Sequence, residues 1–225
     1  MIFNSKIRKH KNNKTISCLL SSASNEDIKL KLIVSELKLK DVRKKEFKRK
    51  ALQEIKSEKT LTGKCILGRA YLSPQSTLME TILKQELKLE EAKGPTSGDC
   101  VKNGVNYEVK FSIHGNGSML NFVQIRPDHN VHYYILVAYN MYDNEDIGKA
   151  HIFKVPTKIL HGMVVKYGQY AHGSRAKLGN ITLENINGNG REYALRCNPN
   201  AKRGRSVDLW NWLRQYETTY EPKNF

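Results

Sequence analysis

One stretch in the middle of the chain, Gly98-Asp99-Cys100-Val101-Lys102-Asn103-Gly104-Val105-Asn106-Tyr107-Glu108-Val109-Lys110, holds two acids and a base at a spacing that suits chemistry. Asn-Gly between two β-like runs is the strongest short-range hairpin signal, since both residues tolerate the positive φ of a two-residue turn. With Asn103-Gly104 as the loop, Lys102 faces Val105, Val101 faces Asn106, Cys100 faces Tyr107 and Asp99 faces Glu108. Opposed residues share a face with Cβ atoms about 5 Å apart, where two like charges destabilise the pair unless a cation sits between them. A divalent metal is one such cation. Side chains two apart on a strand share a face, so Lys110 falls beside both carboxylates while Val109 turns to the core. Two carboxylates suit Mg2+, which takes oxygen ligands, keeps several waters and completes its shell with substrate phosphate oxygens. The chemistry to expect is attack of an activated water on phosphorus, with Lys110 orienting the water or stabilising the charge that gathers there. The plain alternative is a charge-balanced hairpin in which Lys110 screens both acids, the usual meaning of Glu-x-Lys on a strand.

At these residues the chain resembles the PD-(D/E)xK nuclease superfamily, above all its type II restriction endonucleases. That family places an Asp near the start of one strand and (Asp/Glu)-x-Lys on the next, and Asp99 with Glu108-Val109-Lys110 fits the pattern. Gly98 departs from it by standing where Pro is usual. The resemblance covers roughly residues 75–160. It implies an α/β fold, a mixed central β-sheet flanked by helices, and a further metal-ligating Glu on a preceding helix. Glu80 in LMETIL fits that place, and Glu86 competes with it. Glu86 lies near the middle of the stripe formed by Leu78, Met79, Ile82 and Leu83, where an acid needs a partner. The resemblance also implies a polar residue on the next strand, Asn121-Phe122-Val123-Gln124-Ile125-Arg126, that touches the catalytic Lys or a water. Alternation puts Gln124 and Phe122 on one face, and Gln124 is the residue of choice. On this reading Asp99, Glu108 and Glu80 hold Mg2+, Lys110 and Gln124 complete the catalytic set, and the substrate is double-stranded DNA. A homodimer follows, because cutting both strands of a palindrome needs two sites related by a two-fold axis. A junction resolvase or repair nuclease of the same superfamily is the near alternative.

The elements that must position these residues are legible to different degrees. A Lys-rich helical segment is expected over 1–60, ahead of a nuclease core over 61–225. Helix is predicted from 25 to 59 in two pieces, opened by a Ser24/Asp27 capping box and striped by Ile28, Leu32, Ile33 and Leu37. Its basic cluster RKKEFKRK suits either a phosphate backbone or a solvated helix face. Ser73-Pro74 starts a second helix that runs to about Glu91. Strands are predicted at 98–102, 105–113, 120–126 and 131–141, together the sheet of the main domain. After His151-Ile152-Phe153 comes helix over 156–167, a Gly-, Asn- and Lys/Arg-rich stretch over 168–191 with NGNG at 187–190, and a strand near 192–197. A last helix carries Leu209, Trp212, Leu213 and Tyr216 on one face, and both tryptophans read as core anchors.

Lys and Arg number 38 against 22 Asp and Glu, a formal charge of +16 that attracts polyanions without separating DNA from RNA or an acidic membrane. Arg126, Arg175, Lys177, Lys202, Arg203 and Arg205, with His172, are the candidate DNA contacts. Arg and Asn in these stretches suit guanine and adenine edges, and the basic residues equally suit phosphates. Other chemistries lose support. No GxxxxGK[ST] occurs, so no nucleotide cofactor is expected, and no GxSxG marks a serine nucleophile. The four cysteines at 18, 65, 100 and 197 form no CxxC, which points to a reducing, cytoplasmic setting. No signal-like N-terminus and no apolar run of about 18 residues is present, so no membrane is expected. His129-Asn130-Val131-His132 is weak as a zinc motif and reads better as the start of a strand. A rival of another class is a non-catalytic DNA-binding protein of repressor or nucleoid type in which the hairpin acids are structural.

Overall fold

A strand that is apolar along nearly its whole length must be covered on both faces, and YYILVAYN at Tyr133–Asn140, polar only at its last residue, is such a strand. The computed structural model describes residues 30–31, 48–71, 77–113, 119–140, 147–188 and 190–225. Among them the chain runs α1 (Lys48–Ser57), α2 (Leu61–Tyr71), α3 (Thr77–Leu87), β1 (Glu90–Glu91), β2 (Cys100–Lys102), β3 (Val105–Ile113), β4 (Leu120–Ile125), β5 (Tyr133–Asn140), β6 (Lys149–Pro156), α4 (Thr157–Tyr167), β7 (Gln169–Tyr170), α5 (Arg175–Leu178), β8 (Tyr193–Cys197), α6 (Arg205–Arg214), β9 (Glu217–Thr218) and a closing 3-10 turn at Pro222–Asn224. The fold is mixed α/β. A six-stranded sheet in the order β1-β2-β3-β5-β6-β9 has β3 and β5 parallel and its other neighbours antiparallel.

Alternation along the strands sorts the core into two layers. Ile135, Val137 and Tyr139 of β5 join Val109 and Ile113 of β3 and pack under α1, α2 and α3 with Ile55, Ile66 and Leu83. Tyr134, Leu136 and Ala138 face the other way with Phe153 and Val155, against Leu160 and Met163 of α4, Leu209 and Leu213 of α6, and a second sheet. That second sheet, in the order β4-β8-β7, is antiparallel and contributes Phe122 and Leu195 to the same layer. The expectation that 120–126 belongs to the main sheet is therefore corrected. Parallel β3 and β5 need a crossover of a dozen or more residues, and β4 lies within that crossover, on the far side of the sheet.

Other expectations shift at their ends. The helix predicted to reach Glu91 stops at Leu87, because Lys88 takes a left-handed φ of 57° and Glu90 and Glu91 pair with Val101 and Cys100. The helix α2 lies in a stretch for which no element was predicted. Its signal was local: Thr60 Oγ1 accepts the Gly63 N–H at 3.0 Å, the bond of a threonine N-cap. In α6 the deeply buried tryptophan is Trp210, edge-on to His151 and Phe153, while Trp212 is half-buried against the same layer and Tyr216 lies beyond the helix. The Ser24/Asp27 cap, the stripe of Ile28, Leu32, Ile33 and Leu37, most of the basic cluster at 43–50 and the Ser73-Pro74 start lie outside the described residues. No helix among the described residues is long and apolar enough to cross a membrane.

Candidate active site

The hairpin forms in the expected register, with Lys102 opposite Val105, Val101 opposite Asn106 and Cys100 opposite Tyr107. Asn103 and Gly104 both take positive φ, 51° and 77°, as a two-residue turn of the I′ type demands. Beyond Cys100 the ladder gives way to a side-chain contact. Asp99 N–H donates to Tyr107 O at 2.9 Å, and Asp99 Oδ2 accepts the Val109 N–H at 2.7 Å. The carboxylate is thus fastened to the main chain of the residue that follows Glu108. Gly98 enters this corner at φ +76°, and a Cβ there would stand 2.5 Å from Tyr107 O. Proline, locked near −65°, cannot adopt that backbone, so Gly98 is what this corner requires.

Alternation on β3 sends Val109 into the helical layer and Glu108, Lys110 and Ser112 to the opposite face. Ser112 Oγ accepts the Asn121 N–H at 2.7 Å, which fastens β4 and its sheet over that face. Glu108 is 3% exposed, and its Oε1 is held by Lys110 Nζ at 2.5 Å. His129 Nδ1, buried and without a hydrogen-bond partner among the described residues, stands 4.0 Å from the other oxygen of Glu108. Burial pushes the Glu108 carboxyl above the ordinary carboxylate range, Asp99 adds to the rise, and Lys110 and His129 oppose it. Glu80 on α3 joins the group. Its carboxyl is also raised, first by burial and then by the Asp99 charge, against the pull of Lys110 and Lys84.

Three carboxylates therefore act on one another through low-dielectric surroundings, with Lys110 the one ammonium among the described residues that pairs with any of them; Lys84 is paired with Glu91 at 3.0 Å. An excess of buried negative charge is what a divalent cation relieves. Among the described residues no three His, Cys, Asp or Glu side chains form a ready metal cage. Mg2+ does not need one, because it binds through one or two carboxylates with waters and phosphate oxygens making up the shell. The donor set of Asp99 and Glu108, with Glu80 beside them, fits that ion.

Glu86 has a different task. It pairs with Lys64 at 2.8 Å and accepts the Tyr220 hydroxyl, and Lys64, 2% exposed, also donates to Ile55 O at 2.9 Å and to Glu58 O. The acid in the apolar stripe has its partner, and it stitches α3 to α2 and to the C-terminal turn. Glu86→Ala is expected to lower stability by about 2 kcal/mol in urea denaturation, less than the ~3–5 kcal/mol of a wholly buried pair because Glu86 is 31% exposed. The same substitution should leave any activity of the hairpin in place.

The simple alternation expected of β4 fails at Gln124. The pairing with β8 slips between Phe122 and Ile125, both buried, so that Gln124 is exposed at φ 56° and does not share the face of Phe122. It nonetheless reaches the site. A cleft of about 410 Å³ has Glu80 and Lys110 on one side and Gln124, His172, Glu192 and Arg196 on the other. No hydrogen bond joins Gln124 to Lys110, whose ammonium is bound to Glu108.

None of the six basic residues singled out in the sequence lines this cleft. Arg126 is paired with Glu192 at 2.5 Å, Arg175 donates to Gly168 O at 3.0 Å, and Arg205 donates to Lys166 O and lies over the Tyr167 ring. Lys177, Lys202 and Arg203 are exposed. Sequence reasoning missed Arg196, whose signal is a single cation in the otherwise buried strand YALRC. It also undervalued His129. His132, by contrast, accepts the Asn106 N–H at 3.0 Å and serves the strand start. Comparison of the sequence with protein-family models and with curated proteins gives no match.

Proposed function

We propose that this protein is a Mg2+-dependent endonuclease with a restriction-endonuclease-like core, hydrolysing phosphodiester bonds at specific sites in double-stranded DNA as a homodimer. The observation that carries the reading is the hairpin itself. A buried Glu108 bound to Lys110, with Asp99 fixed beside it and Glu80 approaching from α3, sits at the edge of an open cleft. The chain carries a charge of +16, which draws in a polyanion.

Asp99 and Glu108 would hold the metal, with Glu80 completing the carboxylate set. The bound ion supplies a more acidic water and neutralises phosphate charge. Lys110 donates from Nζ to the phosphate oxygen where charge accumulates, a preorganised interaction because the ammonium is already placed and largely buried. The Val109 N–H keeps the Asp99 carboxylate from rotating away. The basic residues outside the cleft serve the flanking phosphates, where a contact adds affinity without sequence information.

A second reading has one observation in its favour: Lys110 and Glu108 already form a closed ion pair, as a structural hairpin in a non-catalytic DNA-binding protein would have. Incubation of the full chain with a long, sequenced duplex in Mg2+ and in EDTA separates the two. Discrete fragments in Mg2+ and none in EDTA are expected. Intact duplex under both conditions, with DNA still shifted in a gel, would sink the nuclease reading for this substrate and favour the binding protein.

A further inference from the structure

We infer that Gln124 and Arg196 form a base-reading pair on the β4-β8-β7 wall of the cleft, recognising adenine and guanine edges next to the phosphate that Lys110 serves. The inference rests on the nuclease reading for its ligand, DNA, and goes beyond it in naming what reads the sequence.

Gln124 has a left-handed φ of 56°, a conformation that costs an ordinary L-residue about 1–2 kcal/mol and is seldom adopted outside Gly, Asn and Asp. Its neighbours enforce it. Phe122 is held opposite Leu195 and Ile125 opposite Tyr193, all four buried, so Val123 and Gln124 together oppose Ala194. That is a bulge, and bulges beside active sites re-aim a side chain. Here the bulge turns Gln124 out of the sheet into the cleft, across from Lys110. Ala194, small and buried, leaves the room beside it. Nothing in the packing needs a glutamine there, since a glycine would relieve the strain.

Arg196 is the exposed residue of a strand whose other members are buried. Its Nε makes a long bond of 3.4 Å to Asn121 Oδ1, which leaves both terminal NH2 groups without a partner among the described residues. Glu192, which also lines the cleft, is paired with Arg126 outside it and leaves Arg196 uncommitted. The two terminal NH2 groups of Arg196 form a planar fork at the cleft, a shape that suits the paired acceptors of a base edge. The planar amide of Gln pairs with adenine N6 and N7, and the guanidinium fork with guanine O6 and N7. Arg196 lies two residues along β8 from Ala194, about 7 Å at 3.4 Å per residue. That is about two base-pair rises of 3.4 Å, so the adenine and guanine should lie within about two steps of each other.

The test is selection of bound duplexes from a randomised pool in Mg2+, using the full chain carrying Lys110→Ala so that bound DNA stays intact. Gln124→Gly, which removes the side chain and suits the backbone, and Arg196→Ala are added singly. The parent is expected to enrich a motif with an adenine and a guanine within two steps. Gln124→Gly should lose preference at the adenine alone and Arg196→Ala at the guanine alone, each by about tenfold or more. Gln124→Gly should melt no lower than its parent, which excludes misfolding as the cause. No motif from the parent, or a motif unchanged in both variants with affinity falling evenly, overturns the inference. Wild-type cleavage measured in parallel keeps the two readings apart: intact DNA with position-specific losses sinks the nuclease and leaves the base readers, and cleavage with an unchanged motif does the reverse.

Discussion

Asp99→Asn, Glu108→Gln and Lys110→Ala are each expected to lower the rate of Mg2+-dependent DNA cleavage by about a hundred- to a thousandfold, the scale seen when one preorganised transition-state contact is removed. The choice of substitution follows from what each side chain does for the fold. Asp99 Oδ2 accepts the Val109 N–H, and alanine would leave that donor unsatisfied, whereas asparagine keeps an oxygen for it and removes the charge. Glu108→Gln likewise retains an acceptor for Lys110 in a buried position. Lys110 is 14% exposed, so its truncation removes a largely buried stem as well as a charge, a cost that the melts measure separately from the rate. Residues that act as one unit give non-additive losses, and the double variant Glu108→Gln/Lys110→Ala should cleave about as slowly as the worse single one. Single-turnover cleavage of a saturating duplex, with circular dichroism melts alongside, checks this. Cleavage at the wild-type rate by any one of the three removes that residue from the proposed chemistry.

The hairpin of the candidate site was more legible than the fold around it, for a physical reason. A two-residue Asn-Gly turn fixes register within a few residues, and the pairing of Cys100 with Tyr107 follows the count. The ladder stops before the expected pair of Asp99 with Glu108, because Asp99 turns its carboxylate to the Val109 N–H. Glu80 could not be separated from Glu86 in the same way. Both sit on α3, and the difference lies in distant partners: Lys64 and Tyr220 claim Glu86, while Asp99 and Lys110 act on Glu80. The assignment of β4 to the main sheet failed because local alternation says which residues are buried and not which strand they pair with. The bulge at Gln124 was invisible for a related reason, since it arises where the apolar spacing changes from Leu120 and Phe122 to Ile125, and nothing in LNFVQI announces a positive φ. Charge counting found a basic protein, and the cations it singled out lie outside the cleft. Arg175 and Arg205 spend donors on backbone carbonyls, and Arg126 is spent on Glu192, contacts set entirely by the tertiary fold.

Metal should invert a stability order that the site's electrostatics set up. The carboxyls of Glu108 and Glu80 lie above the ordinary range in the folded protein, so folding favours their protonated forms. The sign is that of a raised folded-state pKa: the stabilisation is complete at pH below the unfolded carboxylate value and is lost as pH rises through the raised folded values. As the two acids ionise in EDTA beside Asp99, Lys110 opposes the repulsion, with contributions from Lys84 and His129. Glu108→Gln, neutral at every pH, should therefore melt higher than wild type in EDTA at pH 7, with the gap closing as the buffer is acidified. Added Mg2+ stabilises whichever form binds it. At about one hundred times Kd the gain is about 2.7 kcal/mol, or roughly 5–10 °C for a domain of this size. Wild type should gain that shift and Glu108→Gln should gain little, so that the two curves exchange places between EDTA and Mg2+. Differential scanning calorimetry in the two buffers decides the matter without any DNA. Equal shifts in both proteins would place the ion elsewhere, and a lower melt for Glu108→Gln in EDTA would mean that the Lys110 pair outweighs the repulsion and the hairpin is a structural ion pair.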